Sequence, residues 1–398
     1  MNTNTQNPMM KHSRLSWLVI VVGLALFTLS IGWGVNKQLI DQRISFASDR
    51  LLLLSNLRRE ALERYFATAE AELRFWSTSP GLIKQQLWLN DAWQKALDAG
   101  RDPEQRLKLF YVDQNPNPPG QRRELSDAGD GSGYSALHAE LHPMARLFVE
   151  VRDYYDFFLI SPTGDIHYSV EKEADFATNL NSGPYKDSGL AQAFKRALQY
   201  ARSDEIAVSD LEGYAPSDGA PAMFVAKAMY GSKGELAGVI ALQLPINRIT
   251  DIMNFDAGMH KTGETYIVGE DLLMRSDSRF SEESTILKQA VDTETVNRAL
   301  KGEYGVDFTN DYRGIEVLSA YSSTQVDDHN WAVMAEIDKA EILEMATSER
   351  PLLAGLMLFF YSLGLWSFWY VQRSSDDVEG ASLLADLDLD SGMDLSDS

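Results

Sequence analysis

The fold is decided by residues 157–166, which read FFLISPTGDI. The four apolar residues predict a buried strand, and SPTG predicts a turn, because proline fixes φ and glycine accepts turn conformations. Residues 165–170, DIHYSV, predict a second strand that pairs back on the first as a β-hairpin. An antiparallel sheet therefore begins in the middle of the chain.

Downstream of this hairpin the same order of elements occurs twice. The first round has a helix at 190–200 and strands at 206–211, 222–229 and 236–244. The second round has strands at 265–268, 272–276, 305–309, 315–321 and 331–337, with a helix at 293–300. This order predicts an α+β fold with two stacked PAS-like antiparallel-sheet modules, residues 151–252 and 253–346.

Upstream of the hairpin the pattern is helical. Between residues 36 and 93 apolar positions recur at spacings of three, four and seven, and STSPG at 77–81 predicts a break. The apolar stripe of this long helix fits either its own domain or a second copy in a homodimer. The region 36–150 also contains a polar insert at 113–133. Because the insert lacks EF-hand spacing, we expect a mobile surface loop rather than a calcium site.

Two uncharged stretches, residues 15–35 and 352–371, flank these regions. As a helix, the first would extend about 31 Å, close to the thickness of the hydrocarbon core of a bilayer. Lys11 and Arg14 precede it, so we expect residues 1–14 in the cytoplasm. A cleaved signal peptide is the alternative for this stretch. The prediction is a two-span protein of the bacterial inner membrane, with residues 36–350 in the periplasm and 372–398 in the cytoplasm.

Charge and composition exclude several classes of function. The net charge of −22 argues against a nucleic-acid partner, and the absence of cysteine excludes disulfides, thiolate nucleophiles and Cys-ligated metals. We find no nucleophile elbow, Walker loop or kinase signature, so we expect neither an enzyme nor a cofactor. His138 and His142 lie one helical turn apart without the HExxH order of a zinc protease. We expect them to be exposed at a helix end, with no metal.

Several motifs resemble a known family. Besides residues 157–166, they are TGETYIVG at 262–269, LMRSDSR at 273–279 and the strand at 331–337. Together they resemble the double Cache sensor domain of bacterial chemoreceptors, sensor kinases and cyclases, over roughly residues 40–345. The resemblance implies a small-ligand site in the membrane-distal module, 151–252, where the segment 179–190 crosses the sheet. The candidate ligand-binding residues are Tyr168, Asn181, Tyr185, Asp210, Tyr214, Ser217 and Phe224.

The ligand class follows from a departure from this family. Members that bind amino acids typically carry an Arg-x-Trp pair that clamps the ligand carboxylate, but residues 175–190 contain neither residue type. Lys186 is the only base there, and it cannot form a bidentate fork. Asp210 would suit an ammonium group. An amine or another small polar metabolite is therefore the expected ligand, although the candidate tyrosines and Asp210 could also be ordinary core and turn residues.

The output of the predicted sensor is the remaining question. Receptors of this family usually continue into a HAMP relay and an output domain, whereas residues 372–398 are a short acidic tail that includes LLADLDLD at 383–390. Such alternation is typical of a solvated tail or of a segment that folds on a partner. We expect a sensor subunit that signals in trans to a separate protein. The alternative is a Cache-like structural or assembly subunit of an envelope complex that binds no ligand.

Overall fold

The computed structural model describes residues 8–255, 258–347 and 350–391. The chain divides into two compact units. The larger unit is Ser48–Lys339. The smaller unit, here called the terminal unit, consists of the chain before residue 48 and after residue 339.

The terminal unit is helical. It contains the first part of α1 (Pro8–Ser77), nearly all of α8 (Lys339–Thr347) and α9 (Arg350–Ser391). Two stretches, within Val19–Ser77 and Lys339–Val371, are long and apolar enough to cross a membrane. The apolar parts of α1 and α9 pack together where Gly364 faces Leu24, since a Cβ at Gly364 would lie 3.1 Å from a methyl group of Leu24.

The larger unit starts with helices whose ends are set by the sequence. After α1 ends at Ser77 they are α2 (Pro80–Asp98), α3 (Pro103–Lys108) and α4 (Gly133–Arg152). Proline occupies the first position of α2 and α3, where a missing N–H costs nothing. The Ser132 side chain caps α4 by accepting the N–H of Ser135. The break predicted at 77–81 is confirmed.

A six-stranded antiparallel sheet follows. Its strands are β1 (Asp156–Ile160), β2 (Ile166–Ser169), β3 (Ala207–Val208), β4 (Glu212–Tyr214), β5 (Ala220–Tyr230) and β6 (Leu236–Leu244). Their order is β2-β1-β6-β5-β3, and β4 pairs with β5. Helices α5 (Gly189–Tyr200) and α6 (Ile246–Met253) belong to the same region. The predicted hairpin is β1–β2, and β4 is a strand that the sequence reading missed.

A four-stranded antiparallel sheet completes the larger unit. It consists of β7 (Glu264–Val268), β8 (Gly305–Asn310), β9 (Glu316–Val326) and β10 (His329–Asp338), in the order β7-β10-β9-β8, with α7 at Glu294–Leu300. The strand predicted at 272–276 is wrong. This segment makes isolated bridges only, between Val268 and Met274 and between Leu273 and Ala290.

The two faces of the first sheet pack on different helices. Phe157 and Leu159 face a core shared with α1, α2 and α4, whereas Phe158 and Ile160 point to the opposite face, which α5 covers. All four side chains are at most 1% exposed. Each such burial contributes roughly 1.5–3 kcal/mol, which fixes the register because a one-residue slip would exchange the two faces.

The sequence-based expectation for His138 and His142 is wrong. Pro143 lies inside α4 rather than at its end, and both imidazoles are 0% exposed. His138 Nδ1 bonds to the Ser126 carbonyl at 2.6 Å, and His142 Nε2 bonds to the Arg123 carbonyl at 2.6 Å. The insert at 113–133 is therefore attached to α4 through these buried histidines rather than being a free loop.

Candidate functional site

Four of the seven predicted binding residues lie around two acids of the segment that follows β2. The rings of Tyr214 and Phe224 pack at 4.8 Å between centroids on the α5-covered face of the first sheet. Tyr214 donates a hydrogen bond to Asp175, and Ser217 donates one to Glu173. Tyr185 is close enough that the charge of Asp175 raises its pKa, after the larger effect of burial. These residues and the two acids are called the acidic site below.

Asp175 is the central group of the acidic site. Its carboxylate is 0% exposed, and Oδ2 accepts the Tyr214 hydroxyl proton at 2.5 Å. Oδ1 is buried without a hydrogen-bond partner in the described part of the chain. Burial raises the pKa of Asp175 to about 7 and the charge of Glu173 adds to this shift, whereas hydrogen bonds from Tyr214 and from the backbone of Asp175 and Phe176 oppose it. A buried carboxylate oxygen without a donor is costly and suits a ligand that supplies one.

Asp156 lies beside Asp175, whereas the Lys172 ammonium lies over the Tyr168 ring, near His138 and His142. The Asp156 carboxylate is 1% exposed and accepts the Ser169 hydroxyl at 2.7 Å and the Val170 N–H at 2.8 Å. Burial raises its pKa, as do the charges of Glu171 and Asp175. Burial also lowers the pKa of Lys172 to about 7, although Asp156 and Glu171 oppose this. Asp156 therefore adds a second buried carboxyl group beside Asp175, and this wall of the site favours a cation.

Glu173 forms the rim of the acidic site. Its carboxylate accepts the hydroxyl groups of Tyr155 and Ser217, each at 2.6 Å. Burial raises the pKa of Glu173, and these two hydrogen bonds oppose the shift. The rim thus ties the residue before β1 to the turn after β4.

The start of α5 closes the site from the other side. Ser188 caps the helix by accepting the Ala191 N–H at 3.3 Å. The next residue must be small, because a Cβ at Gly189 would lie 3.2 Å from Ser209 Oγ and 3.4 Å from the Phe224 ring. The crossing segment therefore approaches β3 and β5 closely, as the sequence resemblance implied.

Residues 135–346 match the family model of the Cache domain (dCache_1), which is 212 of the 398 residues. The chain belongs to the Cache domain family. The match begins in α4 and covers both sheets, so the acidic site lies in the first of the two sheet modules of this Cache protein. No curated protein matches the chain.

Several solved chemoreceptor domains are similar in fold. The ligand-binding domain of Campylobacter jejuni Tlp3 with L-valine is 12% identical, covers 77% of this chain and 97% of its own, and has a TM-score of 0.45. The Pseudomonas fluorescens CtaA domain with L-serine is 15% identical, covers 63% of this chain and 93% of its own, and has a TM-score of 0.36. The Pseudomonas aeruginosa PctC domain with GABA is 16% identical, covers 59% of this chain and 91% of its own, and has a TM-score of 0.36. At these values the ligands of those receptors say nothing about the ligand of this Cache protein.

Asp210 lies at the junction between the two sheets, away from the other predicted residues. Arg275 donates to both of its carboxylate oxygens, from Nε at 3.2 Å and from Nη2 at 2.7 Å. Trp331 Nε1 donates to Oδ1 at 3.0 Å. Burial would raise the pKa of Asp210, but the bonds and charge of Arg275 outweigh burial and lower it. This carboxylate is thus already paired with a buried guanidinium.

The other two predicted residues are also outside the acidic site. Asn181 is exposed and donates to the Thr163 carbonyl at 2.9 Å, which fastens the crossing segment to the hairpin turn. Tyr168 belongs to the core on the opposite face of the sheet and bonds to His142 Nδ1 at 2.7 Å. In this structure, the hydrogen bonds of both residues connect parts of the fold to one another.

Sequence reasoning missed Asp175 and Glu173. They lie in the run EKEAD at 171–175, which resembles a solvated turn because three of its residues are acidic and one is basic. The position of this run in the chain could have identified them, because the run connects β2 directly to the crossing segment and cannot extend far from the sheet.

Proposed function

We propose that this Cache protein is a membrane-anchored sensor whose first sheet module, the membrane-distal one, binds a small ligand that carries an ammonium group. The observation that carries the proposal is the unpartnered Oδ1 of Asp175. An ammonium donates up to three hydrogen bonds and brings the positive charge that this acidic wall lacks. Tyr185 and Phe224 supply aromatic surface for the rest of the ligand.

Ligand charge gives the proposal a defined pH dependence. An ammonium binds the ionised form of Asp175, and its pKa of about 7 means that the proton must leave for the ligand to bind. Affinity should therefore fall as the pH drops from 8 to 6. Bound ligand should in turn lower the pKa of Asp175, since the two equilibria are linked.

The ligand experiment uses calorimetry on the full chain in detergent, with primary amines, amino acids and dicarboxylic acids as probes. At least one amine should bind, and Asp175→Asn should weaken it at least tenfold. The matched control is Asp218→Asn, an exposed acid nearby. If no amine binds, or if Asp175→Asn binds as wild type does, the ammonium site is refuted, and the structural or assembly role becomes the better reading.

We also propose that the apolar parts of α1 and α9 span the bacterial inner membrane and leave residues 36–350 in the periplasm. Their large side chains are exposed, with Phe27 at 65%, Trp33 at 70% and Leu352 at 73%. The hydroxyls of Thr28 and Ser362 bond to carbonyls four residues earlier at 2.7 Å, which satisfies them without water.

The absence of cysteine allows a clean topology test. Single substitutions Ser232→Cys and Ser375→Cys would be labelled in intact cells with a maleimide that cannot cross the inner membrane. We expect Ser232→Cys to react and Ser375→Cys to react only after lysis. The reverse pattern, or labelling of both in intact cells, would reject the two-span arrangement.

The proposed output is a separate signalling protein that contacts the acidic segment 372–398. The alternation of leucine and aspartate at 383–390 supports a docking role. Crosslinking from Ser375→Cys in membranes, followed by identification of the attached protein, tests this step. A kinase, cyclase or chemoreceptor supports signalling in trans, and a stable envelope complex that ignores amines supports the assembly role.

A further inference from the structure

A groove between α2, α3 and the start of α4 lies outside the acidic site. Its volume is about 480 Å³, within the range of pockets for small molecules. Trp88, Trp93 and Tyr134 line it with aromatic surface. Trp88 is 40% exposed, and the Lys84 ammonium lies 4.2 Å from the centroid of its ring.

The floor of the groove is rigid. The Trp93 ring packs on the His167 ring at 4.7 Å between centroids, and the Tyr134 hydroxyl donates to the His167 carbonyl at 2.8 Å. Both aromatic walls are thereby fixed to β2, and a ligand would meet them without reordering them.

The charged residues of the groove favour an anion. Lys95, Arg101 and Arg106 line it together with one acid, Asp91, in a chain whose net charge is −22. Asp91 is neutralised by Lys95 at 2.6 Å. The surplus of positive charge here runs against the charge of the whole molecule.

The two arginines differ in availability. Arg106 binds Asp130 from Nε at 3.2 Å and Nη2 at 2.9 Å. Asp130 is almost fully buried and also accepts the Ser135 hydroxyl, and its charge neutralises Arg106, so the positive surplus of the groove rests on Arg101. Arg101 is exposed, and within the described residues its side chain makes no hydrogen bond or ion pair. Its guanidinium is free for a bidentate bond to a carboxylate.

We propose that this groove is a second binding site, for a small carboxylate with an aromatic body. The carboxylate would pair with Arg101 at the mouth, and the ring would lie against Trp88 and Trp93. This site is separate from the acidic site and takes a ligand of opposite charge.

The test is calorimetry on the full chain in detergent with benzoate, phenylacetate and indole-3-acetate. Each acid is compared with its neutral amide, so that charge is varied at nearly constant shape. At least one acid should bind in the micromolar to low millimolar range, and its amide should bind at least tenfold more weakly. If none of the three acids binds, or acid and amide bind equally, the proposal is overturned.

Two substitutions locate the binding. Arg101→Gln should weaken the acid at least tenfold, and Trp88→Leu should weaken acid and amide alike. Lys233→Gln, an exposed base on the β5–β6 turn, is the matched control and should change nothing. Binding that survives Arg101→Gln unchanged would overturn the assignment. Asp175→Asn should leave the acid's affinity as it is, so that failure of the amine site and failure of this groove remain separate results.

Discussion

Replacing Asp210 with asparagine should destabilise the larger unit by about 3 kcal/mol. Its carboxylate accepts two bonds from Arg275, whose side chain is 2% exposed, and one from Trp331. The variant removes the charge and turns an amide N–H₂ or a single oxygen toward a guanidinium that can only donate. The guanidinium then stays buried with part of its charge uncompensated.

The size of the loss follows from what remains around Arg275. Breaking a buried ion pair costs roughly 3–5 kcal/mol. Asp271 still contacts Nη1 at 2.9 Å, and the Leu273 carbonyl accepts from the same atom at 3.1 Å. These contacts keep the loss at the lower end of that range. A loss of about 3 kcal/mol would lower the midpoint of thermal unfolding by about 5 °C in a unit of this size.

The assay is urea and thermal unfolding of the full chain in detergent, followed by tryptophan fluorescence. Asp204→Asn is the matched control, because Asp204 also pairs with an arginine, Arg74 at 3.4 Å, but is 87% exposed. That variant should lose less than about 0.5 kcal/mol. A loss in Asp210→Asn no larger than in Asp204→Asn would refute the buried junction.

A double-mutant cycle and a pH series complete the measurement. Arg275→Met combined with Asp210→Asn should lose at least about 1 kcal/mol less than the sum of the single losses, because the two groups interact directly. The pKa of Asp210 is lowered in the folded state, so its contribution is present above the ordinary aspartate pKa and is lost as the pH falls through the folded value. The penalty of Asp210→Asn should therefore stay constant from pH 8 to 5. Additive losses would contradict the pairing.

Two further predictions concern single residues. Because the pKa of Asp175 is raised, its native form keeps a proton between pH 5 and 7 that the unfolded form has lost, so the free energy of unfolding should fall as the pH rises through this range. In urea unfolding, Asp175→Asn should remove up to about 1.4 kcal/mol of that fall per pH unit. Equal slopes for the variant and the wild type would contradict this. Gly269→Ala should lower the free energy of unfolding by about 1–3 kcal/mol, because its methyl group would meet the Arg275 guanidinium. Gly81→Ala, which has only ordinary contacts nearby, should not lower it when both variants are compared by thermal unfolding.

The arrangement of elements could be predicted because it depends on local patterns. Alternating and continuous apolar runs predicted the hairpin and both sheets, and the proline and glycine of STSPG predicted the break after Ser77. The segment 272–276 has the composition of a strand, yet the edge of β7 is reached there by isolated bridges only. Because β7 is an edge strand with a free outer edge, strand composition alone does not decide whether a continuous ladder forms there. The three-residue strand β4 was missed because it is too short to show a period.

The site could be predicted only in part, because charge pairing between distant residues leaves no local signal. Asp210 looks like a free turn acid until Arg275, 65 residues later, is placed beside it. Asp175 lies in a run of charges that suggests solvent exposure, and its burial depends on α5 and the crossing segment. Tyr214 and Phe224 were predictable because aromatic side chains on the inner face of a sheet must meet whatever crosses it.

The placement of Asp210 suggests how a ligand could be sensed by the second sheet. Ser209 accepts the Phe224 N–H at 3.0 Å and lies against Gly189, so it forms part of the wall behind the acidic site. Its neighbour Asp210 holds Arg275 and Trp331 of the second sheet. A ligand that moves the start of α5 must therefore either move this junction or strain it. A preference of only about 1.4 kcal/mol for one junction geometry shifts a two-state equilibrium tenfold. We expect Asp210→Asn to weaken the coupling between the two sheets while leaving amine binding nearly intact, because Asp210 itself is outside the acidic site.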